Sequence, residues 1–286
     1  MKDLISSDGY SKFADFAILT NLKPFDFNIL KQDALIFCKT DFIDFLFEHL
    51  KFSSKNYILV TGFCDNHITK NVFDKKPICI KKWYSATVAY DHPDLIPIPL
   101  GYGVFFDGIS LPQGIYKANE VYKQAMIEGS EILSLIPKNL TTVHCNFTVD
   151  RIRPPRHQVA NKIMSTGVNC YIPPDNKTEN GRFIFPDYLK DMAPYKFIAS
   201  PPGNGIDCHR HWEAIYLNSI PIVIKNLMYA KYDLPILQVN DYLEVTSQLL
   251  EKYLDYYNTH KFKMEQVTLS YWENRMREDL KKCKSF

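Results

Sequence analysis

The chain has 286 residues, 46% of them hydrophobic and 23% charged, with a net charge of +2. That composition is globular, and it excludes disordered, collagen-like and coiled-coil chains. So small a positive bias gives no reason to expect nucleic acid as a partner. The length allows one large domain or two of ordinary size.

The first half alternates short apolar runs with helical stretches, the pattern of parallel α/β units. ALIFCK (34–39) predicts a strand, DFIDFLFEHL (41–50) a helix and NYILVTG (56–62) a second strand. PICIKKW (77–83) and LIPIPLG (95–101) predict two more. The prolines of the latter place it at an edge, because proline cannot donate to a ladder. A helix is expected around 116–130. PKNLT (137–141) breaks the pattern and marks the expected boundary between domains 1–138 and 139–286.

The pattern then restarts. Strands are expected at 140–149, 168–172, 196–200, 220–224 and 234–239. Helices are expected at 156–166, 185–193, 208–218, 241–258 and 263–282, the last of them able to pack back on the first domain. Two α/β halves suggest a cleft with ligands outside the carboxyl ends of strands. Seven scattered cysteines without a CxxC pair indicate reduced thiols and a cytoplasmic setting. No signal peptide and no apolar run of about 20 residues is visible, so no membrane insertion is expected. The sequons at Asn139, Asn146 and Asn176 are then incidental.

The most informative stretch is KFIASPPGNGIDCHRHWEAIYLNSIPIVIK (196–225). A strand ends at Ser200. Gly203 and Gly205 permit a tight loop through Asn204 and close backbone approach. Asp207 is placed to cap the following helix, whose free N–H groups would seat phosphate. Arg210 and Glu213 lie three residues apart on one helical face, suited to a diphosphate and to ribose hydroxyls. CHRH (208–211) lacks a second ligand pair, and Cys64 lacks a placed histidine. Neither reads as a metal site or a nucleophile.

This segment resembles the signature of exostosin-like glycosyltransferases, SPxGxGxDxxRxWEA followed by an IPI or IPV strand. NYILVTGFCDNHIT (56–69), KKWYSATVAYDHPDLIPIPLG (81–101), VHCNFTVDRIRPPR (143–156) and LPILQVNDYLEVT (234–246) are similar to other parts of such chains. The resemblance covers most of 56–250 and extends to short members without an anchor, of the kind found in large DNA viruses of algae. It implies a GT-B fold, with two Rossmann-like domains facing a central cleft and the sugar nucleotide held by the second. It also implies inversion at the anomeric carbon. Ser200, Gly203, Gly205, Asp207, Arg210 and Glu213 match the donor-binding motif, with Asn204 in the same loop. No Asp-x-Asp occurs, which favours metal-independent transfer with no cofactor beyond the UDP-sugar.

Arg153 and Arg156 are further candidates for the diphosphate, and Tyr171 for stacking on the uracil. Inverting transfer needs a general base to deprotonate the acceptor hydroxyl. Asp65, in the loop after NYILVTG, is the first candidate, although an Asx turn would equally place an aspartate there. His67, Asp91, His92, Asp94 and Asp107 are alternatives, with His67, Asp91 and His92 also expected to contact the glycan acceptor. Xylose is the expected donor sugar by analogy. A non-catalytic sugar-binding protein of the same fold and a retaining GT-B transferase are the rival readings.

Overall fold

The computed structural model describes residues 3–19, 30, 33–103, 113–147, 154–174 and 185–283. The chain divides into two compact units. The first comprises Asp3–Lys117, Asn204–Asp207 and Glu265–Phe286; the second comprises Ala118–Gly203 and Cys208–Met264.

The first unit opens with helix α1 (Ser7–Phe13), capped by Ser6, whose hydroxyl accepts from Gly9 N at 3.1 Å. Strand β1 (Phe16–Ile18) and β2 (Ala34–Lys39) follow, then α2 (Ile43–Leu50), β3 (Tyr57–Gly62), α3 (Lys70–Phe73), β4 (Ile80–Ser85) and β5 (Leu95–Pro97). All neighbours pair in parallel, in the order β1-β2-β3-β4-β5. β2 and β3 are buried almost throughout, which explains their unbroken apolar runs. Trp83 is fully buried between Phe47 and Phe73 and donates its indole N–H to Thr61 Oγ1 at 2.9 Å.

β5 is the expected edge strand but stops at Pro97, four residues early. Pro97 and Pro99 have no N–H to offer the ladder. The chain turns instead at Gly101, with φ +77°. A Cβ there would lie 2.0 Å from the Ile5 carbonyl oxygen, so only glycine fits.

The second unit carries most of α4 (Gln113–Ile132), then β6 (Asn139–His144), α5 (Pro154–Ser165), β7 (Asn169–Tyr171), α6 (Phe185–Met192), β8 (Tyr195–Ala199), α7 (His209–Tyr216), β9 (Ile220–Ile224), β10 (Leu237–Val239) and α8 (Ser247–Thr259). Its parallel sheet has the order β7-β6-β8-β9-β10. The chain runs from β6 out to the edge at β7, then returns past β6 to β8. That reversal is the switch point of a doubly wound sheet. Val143, Phe197, Ile220, Ile222 and Val239 form the core with Val159, Ile163 and Tyr242.

The division falls at Lys117/Ala118, within α4, and not at PKNLT. PKNLT belongs to the second unit: Asn139 begins β6, and Lys138 Nζ donates to the Leu217 carbonyl at 2.6 Å. The final helix, α9 (Leu269–Lys282), belongs to the first unit and packs on β2 and β3. Tyr84 donates to Asp279 Oδ2 at 2.6 Å, and Arg277 pairs with Asp15 at 2.9 Å. Among the described residues no helix is long and apolar enough to cross a membrane.

Candidate functional site

The switch point of the second sheet lies between the carboxyl ends of β6 and β8. Cys145, Asn146 and Phe147 follow the first strand, and Ser200 to Gly203 follow the second. Arg210, in the first turn of α7, donates from Nε to the Asn146 carbonyl at 3.0 Å. Its guanidinium carbon sits 5.6 Å from the Phe147 ring centre. Burial opposes its charge, but Tyr188, Cys208 and Glu213 around it outweigh burial and hold it above the ordinary arginine range. Glu213 is buried on the same helix, and its charge adds to the field at Arg210.

Arg156, buried in the first turn of α5, donates from Nε to the Pro202 carbonyl at 2.9 Å. A Cβ on Gly203 would stand 3.3 Å from Arg156 Nη2. Glycine is therefore what lets the loop lie against this guanidinium. Ser200 Oγ and His211 Nδ1 are 2.5 Å apart, both buried. Burial, with Arg210 beside it, pushes His211 well below its usual range. His211 is thus a neutral, internal prop for the loop, and its place in CHRH has a structural explanation.

Asp207 does not cap α7. The N-cap is Cys208, whose side chain makes no capping bond. Asp207 is buried in the first unit, where Oδ2 accepts from Leu100 N at 3.0 Å. The local spacing suited a cap, but a backbone donor near the end of the first sheet claims this carboxylate.

Tyr171 is held within the second unit. Its ring stacks on Tyr195 at 5.0 Å and on His144 at 5.6 Å, and its hydroxyl donates to Asp191 Oδ1 at 2.8 Å. The other oxygen of Asp191 meets His144 Nε2 at 2.9 Å. Burial pushes His144 below its usual range, against the pull of Asp191.

In the first unit, the loop after β3 lines a cavity of about 560 Å³ with Thr40, Asp41, Asp65, Asn66, His67 and Asn204. Asp65 is exposed and makes no hydrogen bond or ion pair among the described residues. A Cβ on Gly205 would lie 3.3 Å from Asp65 Oδ1. His67 Nε2 is buried and unpartnered. Asp41 receives Cys64 Sγ at 2.8 Å and Asn66 Nδ2 at 3.3 Å, and pairs with Lys39 at 2.9 Å. Burial works against the Asp41 charge, but Cys64 and Lys39 outweigh it and hold the carboxyl low. Burial and the Asp41 contact push the Cys64 thiol up to about 11, so it is not a nucleophile at neutral pH.

The SPPGNG loop is therefore divided. Ser200 and Gly203 stay with the second unit; Asn204, Gly205 and Asp207 join the first, where Asn204 lines the Asp65 cavity and Gly205 abuts Asp65. Asp91 and His92 do not line that cavity. His92 packs on Phe73 at 4.5 Å and accepts from Asp94 N at 3.0 Å; Asp94 pairs with Lys82 at 2.8 Å. Arg153 and Asp107 lie outside the described residues.

Two site residues escaped the sequence reading. Tyr188 sits beside Arg210, and burial raises its hydroxyl well above the usual phenol range. Nothing in its local sequence signals this. Asn146 accepts from Arg210 through its carbonyl, and its buried Nδ2 has no partner among the described residues. The expected strand 140–149 ran through Asn146, whereas β6 ends at His144, so its place beyond a strand end was not visible. Among the described residues no group of three or more His, Cys, Asp or Glu is placed to hold a metal ion. No protein-family model matches the chain, and no curated protein matches it.

Proposed function

We propose that the protein is an inverting GT-B glycosyltransferase that moves a sugar from a UDP-sugar to a hydroxyl of a glycan acceptor. One observation carries the reading: the stretch resembling the exostosin-like donor signature meets the switch point of a doubly wound sheet, with Arg156 and Arg210 at the loops there. Those guanidiniums, beside the amino end of α7, are suited to a diphosphate leaving group. Glu213 is the candidate partner for the ribose hydroxyls, and Asn146 Nδ2 is a donor still to be satisfied.

In the proposed step the acceptor oxygen attacks the anomeric carbon and Asp65 takes its proton. The bond from that carbon to the diphosphate breaks, and UDP departs with the electron pair. Charge on the departing diphosphate is offset by the two arginines, so the chemistry asks for no metal. An exposed carboxylate without a competing partner, beside a cavity large enough for a sugar ring, supports Asp65 as the base. Xylose is the first donor sugar to try.

Calorimetric titration of UDP in EDTA tests the donor site. Saturable binding that Arg210→Ala weakens supports the reading. Absence of binding by UDP and by UDP-sugars at millimolar concentration overturns it.

A further inference from the structure

The amino end of the first sheet carries a surface that the transfer reaction does not use. Phe52 is 91% exposed and Ile78 is 83% exposed, the two most exposed large hydrophobic residues described. They occupy neighbouring turns, Phe52 ahead of β3 and Ile78 ahead of β4. Cys79 Sγ donates to the Leu50 carbonyl at 3.4 Å, and Tyr57 N donates to the Cys79 carbonyl at 2.8 Å, tying the two turns together. Nothing in the fold requires apolar side chains at these tips, since both point away from the core.

Lysines surround them. Lys51 stands 5.8 Å from the Phe52 ring centre, and Lys81 is the second residue of β4, three residues after Ile78. Lys55 and Lys76 are half-buried, bonded through Nζ to the Leu30 and Ile80 carbonyls. The end of α9 arrives at this end of the sheet too: Cys283 feels the charges of Asp33, Lys81 and Lys82. Lys281 and Lys282 in its last turn add to the field. Of the nearby acids, Asp74 pairs with Lys70 at 2.6 Å, Asp94 with Lys82 at 2.8 Å and Asp279 with Lys282 at 3.3 Å, while Asp33 is half-buried and Glu48 and Glu278 are exposed. Lys51, Lys81 and Lys281 are exposed and make no ion pair among the described residues.

Two apolar tips with exposed lysines near them are the elements of an interfacial membrane contact. Apolar side chains enter the headgroup layer while ammonium groups meet lipid phosphates. We propose that this face docks the protein on an anionic bilayer surface, with Phe52 and Ile78 in the headgroup region and Lys51 and Lys81 against acidic lipid. A soluble polyanion would satisfy the lysines but would leave no use for the two exposed apolar tips, so the bilayer is the occupant the surface fits. The face lies at the amino ends of the strands, whereas Asp65 lies beyond a carboxyl end, so docking leaves the proposed acceptor cavity open. This inference does not depend on the donor reading.

Flotation with phosphatidylcholine vesicles, with and without about one third phosphatidylserine, tests it. The full chain is expected to float with the anionic vesicles, to float much less with neutral ones, and to be released by high salt. Phe52→Asp with Ile78→Asp is expected to abolish flotation. Both side chains are too exposed to support the core, and an unchanged melting temperature checks this. Lys51→Gln with Lys81→Gln, which introduces no new charge, is expected to lower the partition coefficient about thirtyfold. Failure to float with anionic vesicles overturns the proposal. So does heparin binding of equal strength in the wild type and the Phe52/Ile78 variant, with no vesicle binding by either; that result would make the face a polyanion surface. UDP titration in the same variants keeps this outcome separate from the fate of the donor site.

Discussion

The two sheets have the same number of strands, all parallel, but they create sites by different means. In the second unit the strand order reverses between β6 and β8, and topology alone opens a place for a ligand. In the first unit the described strands follow one another in sequence, with no reversal. Its cavity is made by the loop after β3. The polar groups differ accordingly. Arg156 and Arg210 are tied to loop carbonyls, Ser200 to His211, and Glu213 is buried near Arg210, whereas Asp65 is exposed and makes no hydrogen bond or ion pair among the described residues. Under the proposed function, the first arrangement would bind the diphosphate and the second would serve the acceptor.

The largest test of that contrast is Asp65→Asn. Sugar transfer is expected to fall about 10²- to 10⁴-fold while UDP affinity stays unchanged, measured by product formation and calorimetry. A parallel loss of UDP affinity would break the division between the units. Arg210→Ala is expected to weaken UDP binding about 10- to 100-fold. Arg210→Lys should recover only part of it, because an ammonium cannot offer the planar fork.

Acid should also separate the units. His144 and His211 are buried with depressed values, so their contribution is fully present above the unfolded imidazole value of about 6.5 and is lost as pH falls below it. Each costs the second unit about 1.4 kcal/mol per pH unit until its folded form protonates. The depressed Asp41 of the first unit contributes above the unfolded carboxylate value of about 3.9 and loses that contribution only below it. Trp212 reports on the second unit, and Trp83 and Trp272 on the first. Comparing the wild type with Trp212→Phe in denaturant at stepped pH should show the second unit weakening first. Simultaneous loss would refute the assignment.

The smallest effects come from the two glycines of the divided loop. Gly203→Ala presses on Arg156 and should weaken UDP binding less than about tenfold. Gly205→Ala presses on Asp65 and should slow transfer by a similar modest factor with UDP binding intact. Identical profiles for the two variants would erase the distinction.

Much of the fold was legible. ALIFCK, IPIVI and the helix from Phe185 follow directly from apolar runs and periodicity, and they lie where those patterns predict. α1 and β1 were missed because a seven-residue helix and a three-residue strand with mixed polarity carry too little periodicity to register. LPILQV shortens to Leu237–Val239 because Pro235 cannot join the ladder. Strand order is not written in any local pattern. The site was legible where it is local: Ser200, Gly203 and Arg210 sit in one strand–loop–helix unit. It was not legible where partners are distant in sequence, as with Asp207 and Leu100 or Arg210 and Tyr188.

The placement of α9 has a consequence for synthesis. The helix that covers β2 and β3 is the last described one, so the early strands emerge from the ribosome long before their cover. Roughly 150 residues separate the end of the first segment from that helix, which at about 5–20 residues per second is a delay of about 8–30 s. Throughout that interval β2 and β3 lack the helix that packs on both of them. A chaperone that shields such a face would act in that window, and a nascent chain stalled before Leu269 would be a better client than the finished protein.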